Sequence, residues 1–189
     1  MGTTRDNRSE SVLELLRVYL PTVDERVDLE EMLGLFDAFD SPFDRTLLAP
    51  GHFTASGFVV SPLLDSVLLV HHRRLDRWLQ PGGHVDPDDR SVEAAARREI
   101  EEETGIGSLA SLGGLLDIDV HPIPPRRDEP GHRHFDLRFA YTTDETVLTK
   151  TDEVRDVRWV AFDRIASVGG DESVQRGVAK LRDRLTRIT

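Results

Sequence analysis

Residues 99 to 103 read Glu-Ile-Glu-Glu-Glu, four carboxylates in five positions, inside the run RREIEEETGI from Arg97 to Ile106. The stretch from Ser91 to Thr104 reads as a helix, and Gly105 is placed to end it in the left-handed conformation. At the helical repeat, Glu99, Glu102 and Glu103 fall within an arc of about 100°, while Glu101 points to the other side. Each like-charge neighbour at this spacing costs roughly 0.2–0.5 kcal/mol. The carboxylates also crowd the C-terminal end, where the helix dipole disfavours negative charge. A chain that keeps such a turn must fold so that something offsets the repulsion.

Two readings are open for the acidic turn itself. One is a solvated face paired with Arg97 or Arg98, the common fate of a charge run. The other is a divalent cation: Mg²⁺ or Mn²⁺ prefers carboxylate, carbonyl and water oxygens. The residues upstream weigh on this choice. Arg77 to Gln80 reads as a short strand, followed by Pro81-Gly82-Gly83. Adjacent glycines permit unusual backbone angles and close approach to the main chain. A strand, a glycine bend and a tri-glutamate helix in succession converge carbonyl and carboxylate oxygens on one point.

The remaining pattern places that unit in a mixed α/β chain. Residues 10 to 19 and 26 to 38 read as amphipathic helices, followed by a loop from Asp37 to Gly51. Phe53 to Val60 and Ser66 to His72 read as strands of a hairpin. Leu115 to Val120, Phe135 to Tyr141 and Val157 to Ala161 read as further strands, and Ser173 to Leu185 as a final helix. Residues 121 to 132 hold four prolines and are expected to form a loop without regular structure.

Composition removes several alternatives. The 189 residues include no cysteine, so thiolate nucleophiles, disulfides and Cys-ligated zinc are excluded. A net charge of −11 argues against a broad nucleic-acid footprint. No apolar run is long enough to cross a bilayer, and the polar start MGTTRDNRSESV lacks the centre of a secretory signal, so a cytoplasmic protein is the expectation.

With these residues in view, the chain resembles the Nudix hydrolases, whose signature is G-x5-E-x7-R-E-U-x-E-E-x-G-U with U a bulky aliphatic. The second half is matched by Arg98, Glu99, Ile100, Glu102, Glu103, Gly105 and Ile106. The first half is matched by Gly83, with Asp89 where the family has Glu and one extra residue between Asp89 and Arg98. Glu93 is the alternative occupant of that acidic position. The resemblance covers roughly residues 50 to 169, including WLQPGGHV, DLRFAY and DEVRDVRWV.

The resemblance implies an α/β/α sandwich around a mixed β-sheet, with residues 1–48 an N-terminal helical extension and 49–189 the Nudix domain. It implies a metal-dependent pyrophosphohydrolase in which water attacks phosphorus of a nucleoside diphosphate linked to another group. Glu99, Glu102 and Glu103 become ligands of Mg²⁺ or Mn²⁺, Gly82 offers its carbonyl, and Arg98 fixes a carboxylate. Glu153 is the candidate for an extra ligand or general base, with Asp152 as fallback. The alternative is a non-catalytic nucleotide-binding or sensor module on the same fold. Phe53 is a weaker candidate for the wall of the nucleotide pocket.

Other residues carry two readings each. His132 and His134 flank Arg133 and so share one side of a strand, for phosphate contact or for packing. Arg73, Arg74 and Arg77 bind phosphate or solubilise their loop. Trp78 and Trp159 are expected in the core, with base-stacking platforms the alternative. The N-terminal helices pack on the sandwich, or else form a homodimer contact or a lid.

Overall fold

The computed structural model describes residues 6, 8–73, 75–125, 129–152 and 154–188. Two helices come first, α1 (Arg8–Val18) and α2 (Arg26–Ala38). Strands β1 (Gly51–Val60), β2 (Ser66–His72), β3 (Arg77–Leu79) and β4 (Gly82–His84) lead into α3 (Val92–Thr104). Then follow β5 (Ala110–Ser111), β6 (Asp117–Ile123), β7 (His132–Thr142), β8 (Val154–Ala161), a 3₁₀ turn and α4 (Glu172–Ile188).

The strands form one mixed sheet with a central order β3-β2-β1-β7-β5, while β4 pairs with β1, β6 with β7 and β8 with β2. Strands β1 and β7 run parallel from Gly51↔Arg133 to Val60↔Thr142, and every other pair is antiparallel among the described residues. Residues alternate between the two faces of a strand, and here both faces are covered. Phe53, Ala55, Val59, Leu137 and Phe139 pack with Ala95, Ala96 and Ile100 of α3. Phe58, Val60 and Ala140 pack on the other side with Val174, Val178 and Leu181 of α4. The result is the expected α/β/α sandwich.

The N-terminal helices share the α3-side core through Val12, Leu16, Met32, Leu35 and Phe36. Phe53 stacks on Phe36 at 4.8 Å between ring centroids and is fully buried. It therefore belongs to the core beneath α2, not to a pocket wall as the sequence suggested. Trp78 and Trp159 pack against the two cores but are only half-buried. No helix among the described residues is long and apolar enough to cross a membrane.

One expectation holds only in part. Residues 121 to 132 are not an irregular loop along their whole length: β6 continues through Pro122 to Ile123, and β7 begins at His132. Among the described residues β6 pairs only with β7, so Pro122 sits on an edge strand, where a missing N–H is tolerated. The residues between the strands, so far as described, are 124, 125 and 129–131.

Candidate functional site

Helix α3 is capped at its start by the Ser91 hydroxyl, which accepts from the Ala94 N–H at 3.1 Å. It ends at Gly105, with φ 76° in the left-handed region as the sequence suggested. Ala95, Ala96 and Ile100 are buried against the sheet, which fixes the rotation of the helix. That rotation turns Glu99 and Glu103 toward β4.

The glycines of β4 are required by close approach. A Cβ on Gly83 would lie 2.6 Å from the Glu99 carboxylate carbon, and one on Gly82 would lie 2.3 Å from the Ser56 Cβ on β1. The Gly82 N–H donates to Glu103 Oε2 at 3.1 Å. Two carboxylates from successive helical turns are thus seated directly on the diglycine backbone. Glu103 is buried, Glu99 half-buried, and Glu102 exposed at the rim. Glu101 faces away and is exposed.

Arg98 lies beside this acidic face and ties it together. Its Nη1 donates to Glu99 at 2.8 Å and to Glu102 at 3.0 Å. Its Nε and Nη2 donate to the two oxygens of Asp89 at 3.1 and 2.9 Å, and Nη2 also donates to the His84 carbonyl at 2.9 Å. Burial would raise the Asp89 carboxyl, but the Arg98 guanidinium overrides it and holds the group below the usual carboxylate range.

The two acids at the irregular position have different partners. Asp89 closes its own turn, accepting the Asp86 N–H at 2.8 Å while donating its N–H to the Asp86 carbonyl at 3.1 Å. From that turn Asp89 grips Arg98 with both carboxylate oxygens. Glu93 instead pairs with Arg97 at 3.2 Å on another flank of the helix. Arg8 of α1 reaches the same turn, donating to the Asp86 and Asp89 carbonyls at 2.6 and 3.3 Å.

Glu153 lies outside the described residues, and so does Arg74. Asp152 is exposed just before β8. Arg73 and Arg77 are exposed, and Arg77 lies 3.5 Å from Asp171. The ligand atoms brought together on the α3 side are carboxylate oxygens, the hard kind that suits Mg²⁺ or Mn²⁺. The lack of a side chain at Gly83, where a Cβ would run into the Glu99 carboxylate, fits the same group.

The opposite face of the same strands carries a second polar assembly that the sequence did not reveal. Arg138, almost fully buried, donates to Asp117 at 3.0 Å, Asp119 at 3.0 Å and Asp136 at 2.9 Å. Asp136 in turn accepts from Ser56 at 2.7 Å. Arg176 and Lys180 of α4 add cations against Asp117 at 3.0 and 2.8 Å, and Lys180 also pairs with the buried Glu25 at the start of α2. Local alternation in DLRFAY assigns Asp136 and Arg138 to a solvent face; only the packing of α4 shows that this face is closed.

Beyond that network lies a cluster of five of the seven histidines: His52, His84, His121, His132 and His134. His132 and His134 do share one side, as their spacing indicated, and they pack among other imidazoles. Burial, with the neighbouring imidazoles, pushes His84 down to about 4 and His134 down to about 2, so these two rings are neutral at ordinary pH.

Comparison with known proteins identifies the family. The NUDIX domain model matches residues 52–181. A Bacillus subtilis (strain 168) protein named "Putative 8-oxo-dGTP diphosphatase" is 35% identical over 115 residues, covering 60% of this chain and 70% of its own. Human diphosphoinositol polyphosphate phosphohydrolase 3-alpha is 42% identical over 60 residues, which is 31% of this chain and 36% of its own. Among solved structures, the Escherichia coli dihydroneopterin triphosphate pyrophosphohydrolase superposes with a TM-score of 0.55 at 17% identity, covering 69% of this chain and 95% of that one. With the family model spanning most of its length and its glutamate helix seated on the diglycine strand, the chain belongs to the Nudix hydrolase family.

Proposed function

We propose that the protein is a divalent-metal-dependent pyrophosphohydrolase acting on a nucleoside diphosphate linked to a further group. The observation that carries this reading is the convergence of Glu99 and Glu103 on the Gly82–Gly83 backbone. A bare acidic pocket of that kind repels a polyphosphate, so the substrate needs counter-cations. Glu99, Glu102, Glu103 and the Gly82 carbonyl would hold Mg²⁺ or Mn²⁺. The bound ion supplies charge neutralisation of the pyrophosphate, a more acidic water and stabilisation of the leaving oxygen.

The chain's own groups do the positioning. Arg98 holds Glu99 and Glu102 in one orientation, and Asp89 holds Arg98. Glu103 is fixed by the Gly82 N–H. Glu99, half-buried and adjacent to the diglycine bend, is the group we assign to orient or deprotonate the attacking water. Glu153 is retained as an additional ligand or base from the segment before β8. Residues 1–48 are assigned as an extension that packs on the domain formed by 49–189. The name of one relative, a putative 8-oxo-dGTP diphosphatase, supports a nucleotide substrate, and the net charge of −11 fits a small molecule better than a nucleic acid.

The test is a release-of-phosphate screen over nucleoside diphosphate derivatives and nucleoside triphosphates, with Mg²⁺, with Mn²⁺ and with chelator. Turnover is expected only with metal, and Glu102→Gln and Glu103→Gln should each lower kcat by roughly two orders of magnitude or more while leaving the fold intact. Normal hydrolysis by both variants would remove the site assignment. Tight nucleotide binding without turnover across the panel would favour a sensor module instead.

A further inference from the structure

The histidine cluster follows from register. His121 pairs with His134 across β6 and β7, and His134 pairs with His52 across β7 and β1. Three imidazoles therefore stand side by side on one rung of three adjacent strands, on the sheet face opposite α3. His132 lies two residues along β7 on the same side, and His84 of β4 stands opposite Thr54 on β1. Ring centroids are 5.0 Å apart for His52 and His134, 5.1 Å for His132 and His134, and 5.2 Å for His52 and His132.

The hydrogen bonds fix which nitrogens face inward. His52 Nδ1 lies 3.1 Å from the Leu47 carbonyl, and His132 Nδ1 lies 3.2 Å from the Pro130 carbonyl. A carbonyl only accepts, so each Nδ1 carries a proton, and in the neutral ring each Nε2 then presents a lone pair. Backbone carbonyls behind Nδ1 are the usual orienting partners of metal-binding imidazoles. His52 is fully buried, and among the described residues no hydrogen-bond partner reaches its Nε2. An orphaned buried acceptor of this kind is costly unless something occupies it.

We infer that this face of the sheet holds a second metal site, in which Nε2 of His52, His132 and His134 bind one divalent transition-metal ion of the zinc class. One ligand atom from each residue lies within 4.8 Å of the others. His132 Nε2 and His134 Nε2 are 3.2 Å apart. Two nitrogens bound at about 2.0–2.1 Å to a tetrahedral ion lie about 3.3 Å from each other, so that pair already has the spacing of ligands. Ligation needs His134 to carry its proton on Nδ1, leaving Nε2 free to coordinate. Three imidazoles leave a fourth position for water or for His84, whose ring centroid is 5.1 Å from that of His52.

The donor set separates this site from the carboxylate site. Imidazole nitrogen suits Zn²⁺, Co²⁺, Ni²⁺ or Cu²⁺, and carboxylate and carbonyl oxygen suits Mg²⁺ or Mn²⁺. An ion here would join β1 to β7 and, through Leu47 and Pro130, fasten the segments that enter those two strands. The inference does not depend on the hydrolytic reading, because none of its ligands lies on α3.

The test is titration of the chelator-treated full chain with Co²⁺ in excess Mg²⁺, read by visible absorption and by melting temperature. Excess Mg²⁺ fills hard-oxygen sites, while four-coordinate Co²⁺ bound to nitrogen absorbs far more strongly than six-coordinate Co²⁺ bound to oxygen. One equivalent with intense bands and a raised melting temperature is expected for the wild type and for Glu103→Gln. His132→Gln and His134→Gln should each weaken cobalt binding at least tenfold and abolish the bands. A wild type that shows only weak six-coordinate absorption overturns the inference whatever the variants do. So do bands that persist in folded histidine variants, or that vanish in Glu103→Gln.

Discussion

Gly83 and Glu99 are in such close contact that a single methyl group on the glycine would enter the carboxylate, at 2.6 Å from its carbon. Nothing about the Gly83 backbone demands glycine, since its φ is not among the positive values. Its small size is what the site uses. Gly83→Ala should therefore keep the fold, at a cost of about 1–3 kcal/mol for overpacking. Displacing Glu99 should lower kcat roughly 100-fold. Steady-state kinetics with Mg²⁺ beside a thermal melt separates these effects, and an unimpaired kcat would show that Glu99 has no positional role.

Asp89 and Arg98 form a second testable pair. The two-pronged contact implies that Asp89 acts through Arg98 on Glu99 and Glu102. Asp89→Asn and Arg98→Lys are each expected to reduce kcat about tenfold, with a coupling energy of about 1–3 kcal/mol in the double-mutant cycle. Glu93→Gln, by contrast, should change kcat less than twofold. A larger effect at Glu93 than at Asp89 would reassign the acidic position.

Glu25 ties α2 to Lys180 of α4, to Tyr19 and to the Thr22 N–H. Burial opposes its charge, yet these partners prevail and hold its carboxyl down to about 2, against an ordinary 4.5. A depressed carboxylate contributes stability above its unfolded pKa and loses it as pH falls through the folded value. Glu25→Gln should destabilise the protein by about 3 kcal/mol at pH 7. Denaturant titrations should show that gap narrowing below pH 4.5 and closing near pH 2. A gap independent of pH would mean that packing, not charge, is what Glu25 supplies.

Arg138 is the hub of the buried ion network. Arg138→Met fills the volume but leaves Asp117, Asp119 and Asp136 without their shared guanidinium, and should cost about 3–5 kcal/mol. Urea unfolding at pH 7 measures it. Because Asp136 holds Ser56, which faces Gly82 across β1 and β4, the variant should also lower kcat beyond what partial unfolding explains. Normal kcat in the fully folded variant would separate the network from the site.

The acidic helix was legible in the sequence because everything that shapes it is local: Ser91 at one end, Gly105 at the other, and a fixed angle between Glu99 and Glu103. Asp89 was only half legible, since its grip on Arg98 depends on the turn it closes. The proline-rich segment misled because Pro122 breaks a central strand but not an edge strand. The histidine cluster was least legible. His132 and His134 announce each other by spacing, but His52, His84 and His121 join them only through pairings between distant strands. Arg138 was hidden for the same kind of reason: alternation separates two faces without saying that a second helix will cover one of them.

The parallel pairing of β1 with β7 has a kinetic consequence. Its cross-strand partners, such as Thr54 and Asp136, are 82 residues apart. During synthesis the glycine bend and the glutamate turn emerge well before β7 does, so β1 waits unzipped along one side. Closing so large a loop is slow. The nascent chain should therefore gain hydrolytic competence only in a late, concerted step, once the strand carrying His132 to Thr142 slides in beside its neighbour.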